Sequence, residues 1–329
     1  MTKLKAILTK VTAIAVASAF VLPALFTSPA KAFPDGPIAF IIPFGAGGGA
    51  DIEGRLLAKE MSKVLGVPVV PINKTGGGGA VAYTYTKNSD ANGQTVVWNS
   101  LSILTTTNIG NVPFDYSALD HVGQVEYQPM PLVVSAKSKH KTLKSFMDAC
   151  KAAPGKLKMA FAGFGSGTHL FGLAMMNEAG CKPALLPVKA PKRNAVLLSG
   201  EADIASHIFT NPVKLVKAGK LRFLVISSGK RSPQAPDVPT ATELGYNVNL
   251  GLFRGLSVPK GTPAATIAKL ADAMTKAANS KAFQDFGKKK GFTIETLGPK
   301  AFDKKLAVGD KIVKKAMKAA GIYRSKTKK

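Results

Sequence analysis

The chain has 329 residues and a formal net charge of +26, from 45 Lys and Arg against 19 Asp and Glu. That length suits two domains better than one, and that charge raises nucleic acid or an anionic membrane surface as partners. The lysines, however, are dispersed. Only short runs occur (Lys288-Lys289-Lys290, Lys304-Lys305, Lys314-Lys315), without zinc-finger spacing, an RNP-type aromatic motif or a basic-region helix. No nucleic-acid partner is expected, and solvated faces that draw in anionic ligands account for the charge.

At the N-terminus, Lys3, Lys5 and Lys10 precede an apolar run over residues 11–26, and Ala30-Lys31-Ala32 forms a small-x-small cleavage signal. This is the pattern of a secretory signal peptide over residues 1–32. An uncleaved anchor fits less well, because Pro23 interrupts a run already short for spanning a bilayer. Cleavage after Ala32 would leave 297 residues starting at Phe33, and loss of four lysines and no acids takes the charge from +26 to +22. No later stretch is long and apolar enough to span, so the mature chain is expected to be soluble.

Residues 38–44 read as a strand apolar on both faces. Gly45-Ala46-Gly47-Gly48-Gly49 follows, then Asp51 as a candidate N-cap, and Ile52, Leu56, Leu57, Met61, Val64 and Leu65 as a helical stripe stopped by Gly66. Residues 67–72 predict a second strand, followed by Asn73, the run Gly76-Gly77-Gly78-Gly79 and a helix from about residue 80; residues 95–98 predict a third strand. This alternation implies a mostly parallel α/β sheet. A second set begins near 132–134, with helix 142–152, strand 158–162, loop 163–167, helix 168–179 and strand 184–188. A helix from about 193, strand 203–208, helix 212–218 and strand 222–227 complete it. After a loop with Pro233, Pro236 and Pro239 come 252–253 and 255–258, then helices near 264–278 and 302–320. Two α/β lobes result, crossed near residue 133 and again near 254, with residues 324–329 expected to lack structure.

Both glycine runs lie between a strand and a helix. A helix N-terminus offers unpaired N–H groups and partial positive charge, and glycine lets an anion approach them. Gly45-x-Gly47-x-x-Ala50 also satisfies a permissive dinucleotide fingerprint. The second strand, however, ends at Asn73 instead of the acid that would hold a ribose, so a simple carboxylate ranks above a dinucleotide. A tight turn without a ligand remains the alternative. Gly163-Phe164-Gly165-Ser166-Gly167-Thr168-His169 again joins strand to helix. Phe164 and Thr168 stand where a nucleophile elbow needs glycine, so hydroxyl and N–H donors for an anion, or plain capping by Ser166 or Thr168, fit better. His121, His140, His169 and His207 show no metal-ligand spacing, and no metal is expected. His207 reads as a core histidine with its hydrogen bonds satisfied, and Asp203 as a structural hydrogen-bond partner.

Cys150 and Cys181 are the only cysteines. An even count in an exported chain favours a disulfide over two buried thiols. Each ends a predicted helix, and consecutive helices flanking a parallel sheet end on one side. The closed loop, about 30 residues, would contribute roughly 3 kcal/mol.

The chain resembles the substrate-binding proteins of tripartite tricarboxylate transporters, the Bug proteins, over nearly its whole mature length. The markers are Pro43-Phe44-x-x-Gly47-Gly48-x-x-Asp51 with Arg55, Asn73-x-x-Gly76-x-Gly78-Gly79, Pro154-Gly155-Lys156-Leu157, and Gly163-x-Gly165-Ser166-x-x-His169-Leu170. Ala218-Gly219-Lys220-Leu221-Arg222 and Arg231-Ser232-Pro233-x-x-Pro236-Asp237-Val238-Pro239-Thr240-x-x-Glu243-x-Gly245 follow, then Pro259-x-Gly261-Thr262-Pro263. The resemblance implies a periplasmic, monomeric α/β binding protein of the type II-like Venus-flytrap kind. Its lobes would comprise 33–132 plus 254–329, and 133–253, with the ligand in the cleft. It would deliver a di- or tricarboxylate or an aromatic carboxylate to membrane permease subunits, without a cofactor or enzymatic activity. A carboxylate-sensing partner of a membrane sensor kinase is the alternative, and an enzyme acting on a carboxylate ranks third.

The same resemblance places one carboxylate on Ala46, Gly47, Gly48, Gly49 and Ala50 and on Ser166, Gly167 and Thr168. Phe44, Asp51, Ser100 and His169 complete that neighbourhood. Lys192, Arg193 and Phe164 depart from the family pattern, as does Val188-Lys189-Ala190. Lys192 and Arg193 either serve a second anionic group or share the general lysine excess. Phe164 and Thr210 join them as candidates for the far end of the ligand.

Overall fold

The computed structural model describes residues 33–189 and 192–327; the leader expected over residues 1–32, with its cleavage site, lies outside them. The first lobe starts with β1 (Ile38–Ile42), α1 (Gly49–Leu65), β2 (Val69–Asn73), α2 (Ala80–Lys87), β3 (Thr95–Ser100), α3 (Ser102–Asn108) and β4 (Leu119–Gln128). The second holds β5 (Pro131–Ser135), α4 (Leu143–Ala152), β6 (Lys158–Phe161), α5 (Gly167–Glu178), β7 (Ala184–Pro187), α6 (Lys192–Ser199), β8 (Ile204–Ser206), α7 (Val213–Lys217) and β9 (Leu221–Ile226). The chain returns through β10 (Leu252–Pro259) to α8 (Ala264–Ala278), α9 (Lys281–Lys290), β11 (Thr293–Leu297) and α10 (Pro299–Ala319).

The sheets run β11-β4-β10-β3-β1-β2 and β7-β6-β8-β5-β9. They are mixed where mostly parallel sheets were expected. β1 is parallel to β2 and β3, and β6 to β7 and β8, while β10 is antiparallel to β3 and β4, and β5 to β8 and β9. Parallel pairs need a crossover; β4, β5 and β10 carry the chain between lobes and join each sheet antiparallel.

Strand alternation assigns the faces. Ile38, Phe40 and Ile42 of β1 pack with α1, α8 and α9, whereas Ile41 faces a core shared with α2, α3 and α10. In the second sheet Leu132 and Val134 join Phe146, Phe161 and Phe171 beneath α4 and α5, while Val133 and Ala205 meet Val196 and Leu197 of α6. Helix α1 is rotated from its predicted stripe. Ile52 and Val64 are exposed, and Glu53, Gly54, Leu57 and Ala58 face inward. At Gly54 an added Cβ would come within 3.0 Å of Trp98 and 3.1 Å of Phe40, so this helix lies too close to its sheet for a larger residue. α3, β4, α9 and β11 lie outside the predicted elements. The tail expected to lack structure is fixed in part, because Arg324 N–H donates to Asn108 O at 2.8 Å.

Cys150 ends near the foot of α4, Cys181 follows α5, and their Cα atoms are 5.3 Å apart, within disulfide reach. A bond there spans a sequence separation of 31 residues, worth between 3 and 4 kcal/mol, roughly, by chain entropy. A thiol reagent applied to the unfolded, unreduced protein is expected to modify neither cysteine; two labelled thiols per chain would mean the bond is absent.

Candidate functional site

The loops at the C-terminal ends of the strands converge from both lobes, as ligand sites in open α/β sheets do. The β1–α1 and β2–α2 loops, Ser100 and Asn111 face the β6–α5 loop, Lys189, Arg193, Ile208 and Asn211, with Leu252 and Arg254 of β10 between sheets. They enclose a cavity of about 360 Å³. Three cations, Lys189, Arg193 and Arg254, line it, and among the described residues no Asp or Glu does.

On the first wall, Gly48 caps α1 in extended backbone without a side-chain cap, correcting the assignment of that role to Asp51. Asp51 lies a turn inside. Its carboxylate accepts from Gly47 N–H (2.9 Å), Arg55 Nε (2.8 Å) and Asn73 Nδ2 (2.8 Å), which pins the loop from beneath. Gly48 N–H turns back to Gly45 O (3.3 Å), and Gly49 N–H donates across the cleft to Asn211 Oδ1 (2.7 Å). Those loop amides are therefore engaged by the protein itself.

On the second wall, Ser166 caps α5, its Oγ accepting from His169 N–H at 3.2 Å. Thr168 Oγ1 accepts from Ala162 N–H (3.0 Å), and Gly165 N–H donates to His169 Nδ1 (3.3 Å). The Gly167 and Thr168 N–H groups, which no helix carbonyl can reach, have no acceptor among the described residues. Arg193 lies behind them, 2% exposed, with Nη1 on Ser206 O (2.8 Å) and 3.5 Å from Thr168 Oγ1. Burial lowers its pKa to about 10, so it stays charged at neutral pH.

Arg254 is buried against two carboxylates. Its Nε pairs with Glu53 and lies 3.4 Å from Glu126 Oε1. Burial, and then Glu53, push the Glu126 carboxyl well above its usual range against the pull of Arg254. Thr210 Oγ1 of the second lobe donates to Glu53 Oε1 at 2.7 Å, and Gln128 Nε2 to Glu126 Oε1 at 2.9 Å.

The lobes meet at the second glycine run. Gly76, Gly77, Gly78 and Gly79 all have positive φ (139°, 54°, 68° and 120°). Asn111 Nδ2 donates to Gly77 O (2.8 Å) and Phe164 O (3.2 Å), and Thr105 Oγ1 to Gly165 O.

Of the residues proposed from sequence, Phe44, Gly48, Gly49, Ala50, Ser100, Phe164, Ser166, Gly167, Thr168 and Arg193 line the cavity. Gly47 and Thr210 line a smaller one, about 70 Å³, beside Glu53 and Lys290. Ala46 and Lys192 are exposed away from both, and Asp51 and His169 act from behind. Phe164 is 48% exposed at the mouth, with ring edges toward Phe161 and His169 (5.2 Å each). The Gly76–Gly79 run, expected with the first glycine run to receive an anion, also lines the cavity, whereas Arg254, Asn111 and Asn211 were not proposed as cavity walls. The available signal for Arg254 was a charge inside the apolar run Leu252-Phe253-Arg254-Gly255-Leu256.

His207 departs from the expected satisfied histidine, because neither ring nitrogen has a partner among the described residues. Burial holds His121 and His169 down at about 4, for His121 in spite of Asp303 at 3.9 Å. Burial and then Arg193 hold His207 well below its usual value. These groups stay neutral when folded, while the unfolded chain takes up protons near pH 6.5. Their contribution is thus whole above pH 6.5 and is lost as pH falls towards 4, about 3 kcal/mol for His169 alone. Glu126 pulls the other way, one group against three. Urea midpoints should therefore drop from pH 7 to pH 5, and less so in His169→Gln; equal midpoints would overturn the assignment.

Residues 54–318 match the tripartite tricarboxylate transporter family receptor, TctC. The chain is 33% identical to protein BugT of Bordetella pertussis over 278 residues, 82% of this chain and 85% of BugT. Among solved structures it is similar to the periplasmic binding protein BugD (TM-score 0.84, 28% identity, 88% of this chain and 99% of that one). It is also similar to MatC of Rhodopseudomonas palustris with bound malate (TM-score 0.78, 26% identity, 88% and 99%). Among the described residues no helix is long and apolar enough to cross a membrane. A family match over most of the chain, 33% identity with BugT over 278 residues and the same two-lobed fold together show that the chain belongs to the tripartite tricarboxylate transporter receptor family, the Bug proteins.

Proposed function

We propose that this receptor captures a small organic carboxylate, aliphatic or aromatic, between its lobes and hands it to the permease subunits of a tripartite tricarboxylate-type transporter. The observation that carries this reading is the cavity wall, where among the described residues three cations and no acid stand beside the unpaired N–H groups of α5. Each charge-assisted hydrogen bond there is worth about 1.5–3 kcal/mol, so a few offset desolvation of a carboxylate. The similarity to MatC, which was solved with malate, supports the class. The lobes would divide as 33–132 plus 254–329 against 133–253, which the passage of the chain between sheets supports. The receptor would act as a monomer in the periplasm after cleavage following Ala32. Titration of the purified protein with malate and other organic acids is expected to raise its melting temperature and give saturable heats. Saturable binding of neutral or cationic solutes in their place would sink the reading.

A further inference from the structure

A second cavity, a groove of about 740 Å³, opens between the lobes beside α9. One wall is formed by residues 228–234 with Asn249, the other by the end of α9 and the start of β11, and Tyr127 and Pro129 close it where the chain crosses between sheets. The family marker that begins Arg231-Ser232-Pro233 lines no part of the cargo cavity and builds this wall instead. Arg231 holds the wall in shape, with Nε on Glu243 (3.0 Å) and Nη1 on Pro236 O (3.1 Å). Lys230, Arg231 and Lys288 line the groove, and among the described residues no Asp or Glu does. Lys217 stands at the rim, its Nζ donating to Gln234 Oε1 at 3.3 Å. Lys290 lies near enough to Lys214 of α7 that this like charge, after burial, holds its ammonium below the usual pKa. Lysines in the last turn of a helix suit its dipole, but here two such helix ends and Lys230 meet at one seam. Of these cations only Arg231 is ion-paired among the described residues.

We propose that this groove docks an acidic polypeptide segment of a partner protein. No residue of the cargo cavity takes part, so the proposal goes beyond the carboxylate-receptor reading and holds whatever the cargo is. Charge selects the occupant: carboxylates set between Lys230, Lys288 and the rim lysines relieve a repulsion that the chain alone leaves standing. Shape selects a polypeptide over a bilayer. A planar headgroup surface reaches only the rim, whereas the groove admits an extended chain, with the amide of Asn249 and the hydroxyl of Thr293 as partners for its backbone. β11, which starts at the groove, is the edge strand of its sheet, so one of its hydrogen-bonding sides is not taken by that sheet. Because the two walls belong to different lobes, an occupant that touches both favours the closed arrangement.

Fluorescence anisotropy with a short labelled peptide of alternating Glu and Ser tests this on the purified protein, and saturable binding is expected. Lys230→Glu/Lys288→Glu should weaken it about tenfold or more, and Lys230→Gln/Lys288→Gln by a smaller factor. Both lysines are exposed, so the fold survives either pair, and a loss graded by charge is not what damaged packing would give. Lys311→Glu/Lys315→Glu makes the same change of charge at exposed positions of α10 outside the groove, and should weaken binding by less than about twofold. Equal weakening by the two Glu pairs would show that the peptide follows the overall charge of the chain, and overturns the groove. Absence of peptide binding overturns the proposal too, including where phosphatidylglycerol vesicles bind through Lys230 and Lys288 instead. No cargo enters the experiment, so its failure and a failure of the carboxylate reading are told apart.

Discussion

Gly78→Ala is expected to weaken binding of every ligand by about a hundredfold, whatever its chemistry. A Cβ at residue 78 would come within 2.5 Å of Phe164 O, 2.7 Å of Gly165 C and 2.9 Å of Ser166 N, all backbone atoms of the opposite lobe. A side chain could swing aside; this backbone cannot, because Asn111 and Thr105 tie it to the first lobe and Ser166 caps α5. Overpacking costs about 1–3 kcal/mol where neighbours yield. With none able to yield, the upper figure applies to the closed arrangement alone, and 1.4 kcal/mol per factor of ten gives the expected loss. Gly155→Ala is the control, since Gly155 shares a positive φ (76°) but has open space around it. Calorimetry on both variants decides the matter: equal affinities would show that the loops need not meet for binding.

Arg254→Ala is expected to carry the largest stability penalty of any single change discussed, about 3–5 kcal/mol, because it strands a buried carboxylate. Glu53 is fully buried, its remaining partners are Thr210 and Gln128, and Glu126 stands beside it. Removing the pair together, as Glu53→Gln/Arg254→Met, should recover most of that loss, since the ion pair's attraction barely exceeds its desolvation cost. Urea unfolding of the wild type, Arg254→Ala and the double variant completes the comparison. A single-variant loss below about 1 kcal/mol, the scale of exposed pairs, would show that the cluster is solvated and not buried.

The parts of this molecule legible in its sequence are those fixed by local rules. The glycine runs, the Gly66 stop and the Thr142–Ala152 region announce themselves through backbone preferences that act within a few residues. β4 did not, since Asp120, His121, Gln124, Glu126 and Gln128 break the apolar alternation expected of a strand. Their partners come from elsewhere: Ser257 for His121, Glu295 O for Gln124 and Arg254 for Glu126. Arg254 was passed over for the same reason, as a charge interrupting an apolar strand whose counterion lies 201 residues away. Glu53 stood next to the apolar Ile52, and only the approach of Gly54 to Trp98 and Phe40 decides which face of α1 turns inward. Asn111 and Asn211 carry no local pattern at all; their roles exist only once the lobes touch.

The bonds from Gly49 to Asn211 and from Glu53 to Thr210 join the two lobes through the protein alone. At about 0.5–1.5 kcal/mol each, they work as a built-in latch, favouring closure before any cargo contributes to it. A cargo that meets a partly preset clamp forfeits less of its intrinsic affinity to the closing motion. The same latch slows release, because opening the cleft breaks these two bonds as well as those to the cargo. Weakening it, for instance with Thr210→Val, would trade retention for faster hand-over.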